Sequence, residues 1–205
     1  MTVRAVLYLH GFRSSPRSTK ARLTCEAARA AGWFASAPDL NDEPAAAAET
    51  ARREAESLLE RGGELLIVGS SLGGFYAGRL AAELGCRSAL LNPCLEPWAL
   101  IGPLIGWHDI EGTDRRIRVD EHFGPALRAL AEEVSPIPST RAQQRRTWVL
   151  LSDADEVLDW TQARDALRGC RQMISPGDDH RIQRYAEFLP SLFAWASAAA
   201  DDMND

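Results

Sequence analysis

Short apolar runs alternate with helix-patterned stretches from the start of the chain to residue 91. Val3-Arg4-Ala5-Val6-Leu7-Tyr8-Leu9 reads as a buried strand, because an apolar run of this length closed by a turn suits a strand better than a helix. Residues 18–31 carry Leu23, Ala27, Ala28 and Ala30 at helical spacing and predict a helix. A short strand is expected over 33–38. Asn41-Asp42-Glu43-Pro44 then combines an Asx residue, acidic neighbours and a proline near the first helical position, the chemistry of a capped helix start. That helix is expected to reach about Arg61 and to stop at Gly62-Gly63. Leu65-Leu66-Ile67-Val68 reads as a strand, 75–84 as a helix and 86–91 as a strand. Such alternation implies a mostly parallel sheet with helices on both faces.

The pattern breaks over 92–144, where Pro93, Pro97, Gly102, Pro103, Gly106, Gly112, Gly124, Pro125, Pro136 and Pro138 interrupt any long element. A structureless connection of that length inside a compact domain is expected to serve a function. Regular order resumes with a strand over Thr147–Ser152, a helix over 159–168, a strand over Arg171–Ser175 and a helix soon after His180. Residues 198–205 read as a frayed tail. The expected organisation is one α/β domain spanning 1–205, with a lid-like insertion at about 93–145.

Chemistry enters at Gly69-Ser70-Ser71-Leu72-Gly73, between a strand and a helix. A G-x-S-x-G in that context is the nucleophile elbow of the α/β-hydrolase fold, a tight turn in which flanking glycines leave room for crossing backbone. The glycines set the register, so Ser71 and not Ser70 is the candidate nucleophile. His10-Gly11-Phe12, directly after the first strand, fits the loop that supplies one oxyanion-hole amide; the residue after the nucleophile supplies the other. The expected donors are the Phe12 and Leu72 backbone N–H groups. In this fold the acid and then the base follow the serine along the chain, which points to Asp155 and His180. Asp153 and Asp159 flank that acid, and Asp159 looks more like a helix cap. His10 is expected to be a structural hydrogen-bonder, while His108 and His122 precede the acid and break the order.

Composition narrows the setting. With 205 residues and 45% hydrophobic content the chain can bury a sizeable core. A net charge of −6 argues against a nucleic-acid partner. No stretch approaches the ~20 apolar residues of a membrane span, and the opening apolar run is too short for an export signal. Cys25, Cys86, Cys94 and Cys170 show no CxxC spacing and are expected to be reduced thiols in a cytoplasmic protein. Neither a metal nor a cofactor is expected. The apolar segment 98–107 reads either as core or as an acyl pocket offering Trp98 and Trp107 to a substrate. Arg115, Arg116 and Arg118, like Arg141, Arg145 and Arg146, read as a solvated face or as a site for an anionic leaving group such as coenzyme A.

Longer motifs add a resemblance. Leu7-Tyr8-Leu9-His10-Gly11-Phe12-Arg13-Ser14-Ser15-Pro16-Arg17-Ser18-Thr19-Lys20, Gly69-Ser70-Ser71-Leu72-Gly73-Gly74-Phe75-Tyr76-Ala77, Asn92-Pro93, Asp155-Glu156-Val157-Leu158-Asp159 and His180 closely resemble the YqiA/YcfP-like esterases, small bacterial α/β-hydrolases. The resemblance implies Ser71 as nucleophile, Asp155 as acid and His180 as base. It also implies hydrolysis of small acyl esters or thioesters without a cofactor. The expected function is a serine carboxylesterase. The alternatives are an acyl-CoA thioesterase and a catalytically silent hydrolase fold used for binding.

Overall fold

The computed structural model describes residues 3–61 and 63–198, so the expected helix stop at Gly62 and the tail beyond 198 lie outside the described residues. In chain order the elements begin β1 (Val3–Leu9), α1 (Thr19–Ala30), β2 (Phe34–Ser36), α2 (Pro44–Glu60), β3 (Gly63–Ser70), α3 (Leu72–Leu84) and β4 (Arg87–Leu91). An intervening segment carries β5 (Gly106–Asp109), β6 (Arg116–Val119), α4 (Phe123–Glu133) and α5 (Arg141–Arg145). The chain closes with β7 (Thr147–Ser152), α6 (Trp160–Ala166), β8 (Arg171–Ser175) and α7 (Tyr185–Ser197).

Six strands form one parallel sheet in the order β2-β1-β3-β4-β7-β8. Side-chain alternation divides its two faces. Ala5, Leu7 and Leu9 pack with α2, α3 and α4, whereas Val6 and Tyr8 pack with α1 and α7. Both faces are therefore covered, which is why these strands read as continuous apolar runs and not as alternating ones. Strand order reverses between β1 and β3, and the carboxyl ends at such a reversal frame the usual ligand crevice of an open α/β sheet. His10 and Ser71 sit at the ends of those two strands.

Two expectations are corrected here. Residues 92–144 are not a structureless connection: β5 and β6 form an antiparallel hairpin, two 3-10 turns precede it, and α4 and α5 follow. Elements of four to eleven residues fit between prolines and glycines without leaving a long periodic signal. The Asx side chains also do not cap α2. Glu43 holds the cap position with no side-chain bond to the helix, and Pro44 opens it. The Asn41 amide donates instead to Ser14 O (2.8 Å), tying the loop after β1 to the start of α2. No helix among the described residues is long and apolar enough to cross a membrane.

Candidate active site

The turn after β3 brings Ser71 to φ 54°, ψ −119°, a conformation that L-residues rarely adopt. Such strain costs about 1–3 kcal/mol and persists only where the surroundings enforce it. Here Ser71 N donates to Leu91 O (3.0 Å), while Gly74 N and Cys94 N donate to Ser71 O at 2.8 and 3.1 Å. The two motif glycines are required by contact. A Cβ at Gly69 would stand 2.1 Å from Gly73 O, and one at Gly73 would stand 2.0 Å from Leu9 O. The strained residue of the turn is Ser71, the position the glycine spacing singles out, while the Ser70 hydroxyl is turned to the buried Tyr8 phenol.

The loop after β1 lies against this turn, with a Cβ at Gly11 falling 3.2 Å from the Ser71 Cβ. His10 fixes the loop from below. Its Nε2 accepts from Leu40 N (2.9 Å) and its Nδ1 faces Gly11 O (2.9 Å), which requires the neutral ring protonated on Nδ1. Burial also pushes the His10 pKa down, against smaller opposing contributions from Gly11 and Asp39. His10 is thus a structural hydrogen-bonder, as expected. Neither the Phe12 nor the Leu72 amide donates to another group among the described residues. Leu72 opens α3, so its N–H belongs to the free, electropositive end of that helix.

Asp155 and His180 meet across the ends of β7 and β8. His180 Nδ1 and Asp155 Oδ2 are 2.7 Å apart, and the Asp155 side chain is 1% exposed. The other carboxylate oxygen accepts from Val157 N and Leu158 N, both at 2.8 Å. Burial works to raise this carboxyl. Hydrogen bonds from His180, Leu158 and Val157 outweigh it and hold the pKa below the usual carboxylate range. The rival acids are engaged elsewhere: Asp153 accepts from Gly177 N, and Asp159 caps α6 through Thr161 N (3.0 Å). His180 and Ser71 line one polar cleft of about 610 Å³ but share no hydrogen bond in this conformation. Apo geometry of this kind is common in sites that tighten on substrate. His108 is held by Leu104 O and stacks edge-on against Phe12, and His122 precedes α4; neither meets Asp155.

On its other side Ser71 opens into an apolar cavity of about 190 Å³, walled by Leu72, Leu100, Ile101, Ile117, Phe123 and Leu127 among others. Trp98 and Trp107, expected at a substrate pocket, do not line it. Trp98 turns inward against Phe75, with ring centroids 6.4 Å apart. Trp107 falls on the outward-facing position of β5, 59% exposed beneath the Arg116 guanidinium. The segment 98–107 does supply cavity wall, through its leucines and Ile101. The six arginines considered for a leaving group line neither space beside Ser71. Arg115 pairs with Asp39, and Arg116 with Asp109 (3.1 Å), as on a solvated face.

Sequence reasoning gave no role to Asn92. Its side chain bridges three loops: Oδ1 accepts from Ser152 N (2.8 Å), and Nδ2 donates to Ser152 Oγ (3.0 Å) and His180 O (3.2 Å). Its φ of 41° suits Asn better than most residues. Glu156 helps from the far side, accepting from His180 N at 3.0 Å. The available signal was a polar residue directly at the carboxyl end of a buried strand. Asn92→Ala is expected to lower stability by about 2–4 kcal/mol, since it orphans buried partners and strains the backbone. Urea unfolding checks this, and an unchanged midpoint would rule the bridge out.

A parallel sheet wound in this order, with a strained serine at the reversal and an Asp–His pair across the next loops, defines the α/β-hydrolase fold. A family model matches residues 5–197, and the chain belongs to that family, UPF0227, described as an uncharacterised protein family. It is the family of the YqiA/YcfP-like proteins that the motifs resemble. Solved structures share the fold at low identity. Est1E from Butyrivibrio proteoclasticus is 15% identical, with TM-score 0.68, over 96% of this chain and 90% of its own. A structure reported with the metagenome-derived lipolytic enzymes LipS and LipT is 17% identical, with TM-score 0.69, over 95% and 94%. A Xanthomonas campestris α/β serine hydrolase described as lidless is 16% identical, with TM-score 0.67, over 97% and 85%.

Proposed function

We propose that this protein is a serine carboxylesterase that cleaves small acyl esters through Ser71, His180 and Asp155. The observation that carries the reading is the position of strained Ser71 at the junction of two unlike spaces. One is apolar and suits an acyl chain; the other is polar, holds His180 and suits a leaving alcohol.

Ser71 Oγ attacks the ester carbonyl carbon while His180 Nε2 takes its proton. Asp155 holds Nδ1–H and stabilises the imidazolium. The tetrahedral oxyanion is bound by the Phe12 and Leu72 amides, a contribution of about 3–4 kcal/mol per donor. The bond to the alcohol oxygen then breaks, and His180 protonates that oxygen as the alcohol departs. Water attacks the acyl-enzyme, giving its proton to His180. Collapse releases the carboxylic acid and returns that proton to Ser71. A thioester would follow the same path with a thiol as leaving group; Arg17, Lys20 and Arg181 line the cleft beside Ser71, whereas Arg115, Arg116, Arg118, Arg141, Arg145 and Arg146 do not.

A fluorophosphonate probe followed by peptide mass spectrometry tests the reading. One adduct per chain on Ser71, blocked by a short-chain p-nitrophenyl ester, is expected. No adduct, as for a silent binding fold, or an adduct on Ser70, would overturn it.

A further inference from the structure

Among 22 arginines the chain contains a single lysine, Lys20, and it stands at the edge of the polar cleft that holds Ser71 and His180. The position is locally unfavourable. Lys20 lies in the first turn of α1, where the helix dipole opposes a cation, and it is half-buried. A residue that breaks a local rule in this way calls for a compensating role elsewhere.

The compensation is a contact across 161 positions. Lys20 Nζ donates to Arg181 O at 2.6 Å. That carbonyl belongs to the peptide plane directly before Ile182, whose φ is 52°. Positive φ is a genuine outlier for a β-branched residue, so the loop carrying His180 is held in a strained shape. The surrounding charges agree with a built-in cation. From the loop after β7 Asp155 acts on Lys20, and from the loop after β8 so do Asp178, Asp179 and the opposing Arg181. Arg17, Glu111 and Glu156 line the same cleft.

We propose that Lys20 is a positioning residue for His180, pinning the main chain just beyond the histidine and offsetting the carboxylates crowded around it. The proposal rests on His180 being the base. Burial pushes the ammonium down to about 8, against the opposing pull of Asp179, Asp178 and Asp155. Lysine suits the place because a point charge reaches one carbonyl without the width of a guanidinium.

The experiment compares wild type, Lys20→Met, Lys20→Arg and Ser71→Ala on p-nitrophenyl acetate across pH. Lys20→Met is expected to lower kcat about tenfold with little change in KM, because the base is misplaced and binding is not. The acid limb of kcat/KM should also move up by about half a pH unit or more, since removing a cation favours the imidazolium. Lys20→Arg keeps the charge and should leave that limb at the wild-type pH. A fourth readout does not depend on turnover or on the variants folding. Selective lysine labelling gives one side-chain NMR resonance, and nuclear Overhauser contacts from it to Arg181 and Ile182 in wild type are the expected result. Their absence would put the ammonium in solvent and overturn the proposal. Wild-type kcat and an unmoved limb in Lys20→Met would overturn it while leaving Ser71-dependent turnover intact. Absence of Ser71-dependent turnover in wild type would overturn both this proposal and the esterase reading.

Discussion

Ser71→Ala is expected to lower kcat/KM for small acyl esters by about 10⁴-fold or more, leaving only what oxyanion binding supplies. Its fold should be unchanged, because alanine meets the same positive φ as serine and the main-chain bonds to Leu91, Gly74 and Cys94 need no side chain. Ser70→Ala supplies the contrast. The Ser70 hydroxyl faces Tyr8, so its removal should leave most of the activity. Steady-state kinetics with paired melting curves decide the matter. Loss of activity on changing Ser70, with Ser71→Ala still active, would put the nucleophile one residue back.

Asp155→Asn is expected to cost about 10³–10⁴-fold in kcat with the structure preserved. The reason lies in the orientation the site imposes. Val157 N and Leu158 N donate to one carboxylate oxygen, so the asparagine carbonyl would be held there. Its NH2 would then face His180 Nδ1 and demand an acceptor. The imidazole would carry its proton on Nε2 and could not accept one from Ser71. Asp153→Asn and Asp159→Asn should be mild by comparison, since those carboxylates serve Gly177 and Thr161. Equal losses in Asp153→Asn would move the acid two residues back and sink the assignment.

The elbow around Ser71 was legible because it depends on short-range chemistry. Two glycines at fixed offsets around a serine encode a turn that only one backbone path can make, and Gly69 and Gly73 meet that path at contact distance. The buried strands were equally legible, since a parallel sheet covered on both faces needs unbroken apolar runs such as 3–9 and 65–68. Asp159 as a helix cap was legible for the same reason, its partner being two residues away.

What the sequence could not carry is contact between distant segments. Whether a tryptophan in 98–107 faced a cavity depended on what Phe75 and Arg116 offered it, and spacing along that segment says nothing of either. Asn92 and Lys20 show the same limit from the other side. Their partners lie 60 to 161 residues away, and neither pairing leaves a periodic or composition signal. The chain alone determined the alternation of strand and helix and the backbone turn that strains Ser71, because both follow from local sterics and burial. Only the tertiary structure decided which side chains wall the cavity and which hold His180 in place, because those depend on how loops at the ends of separate strands are brought together.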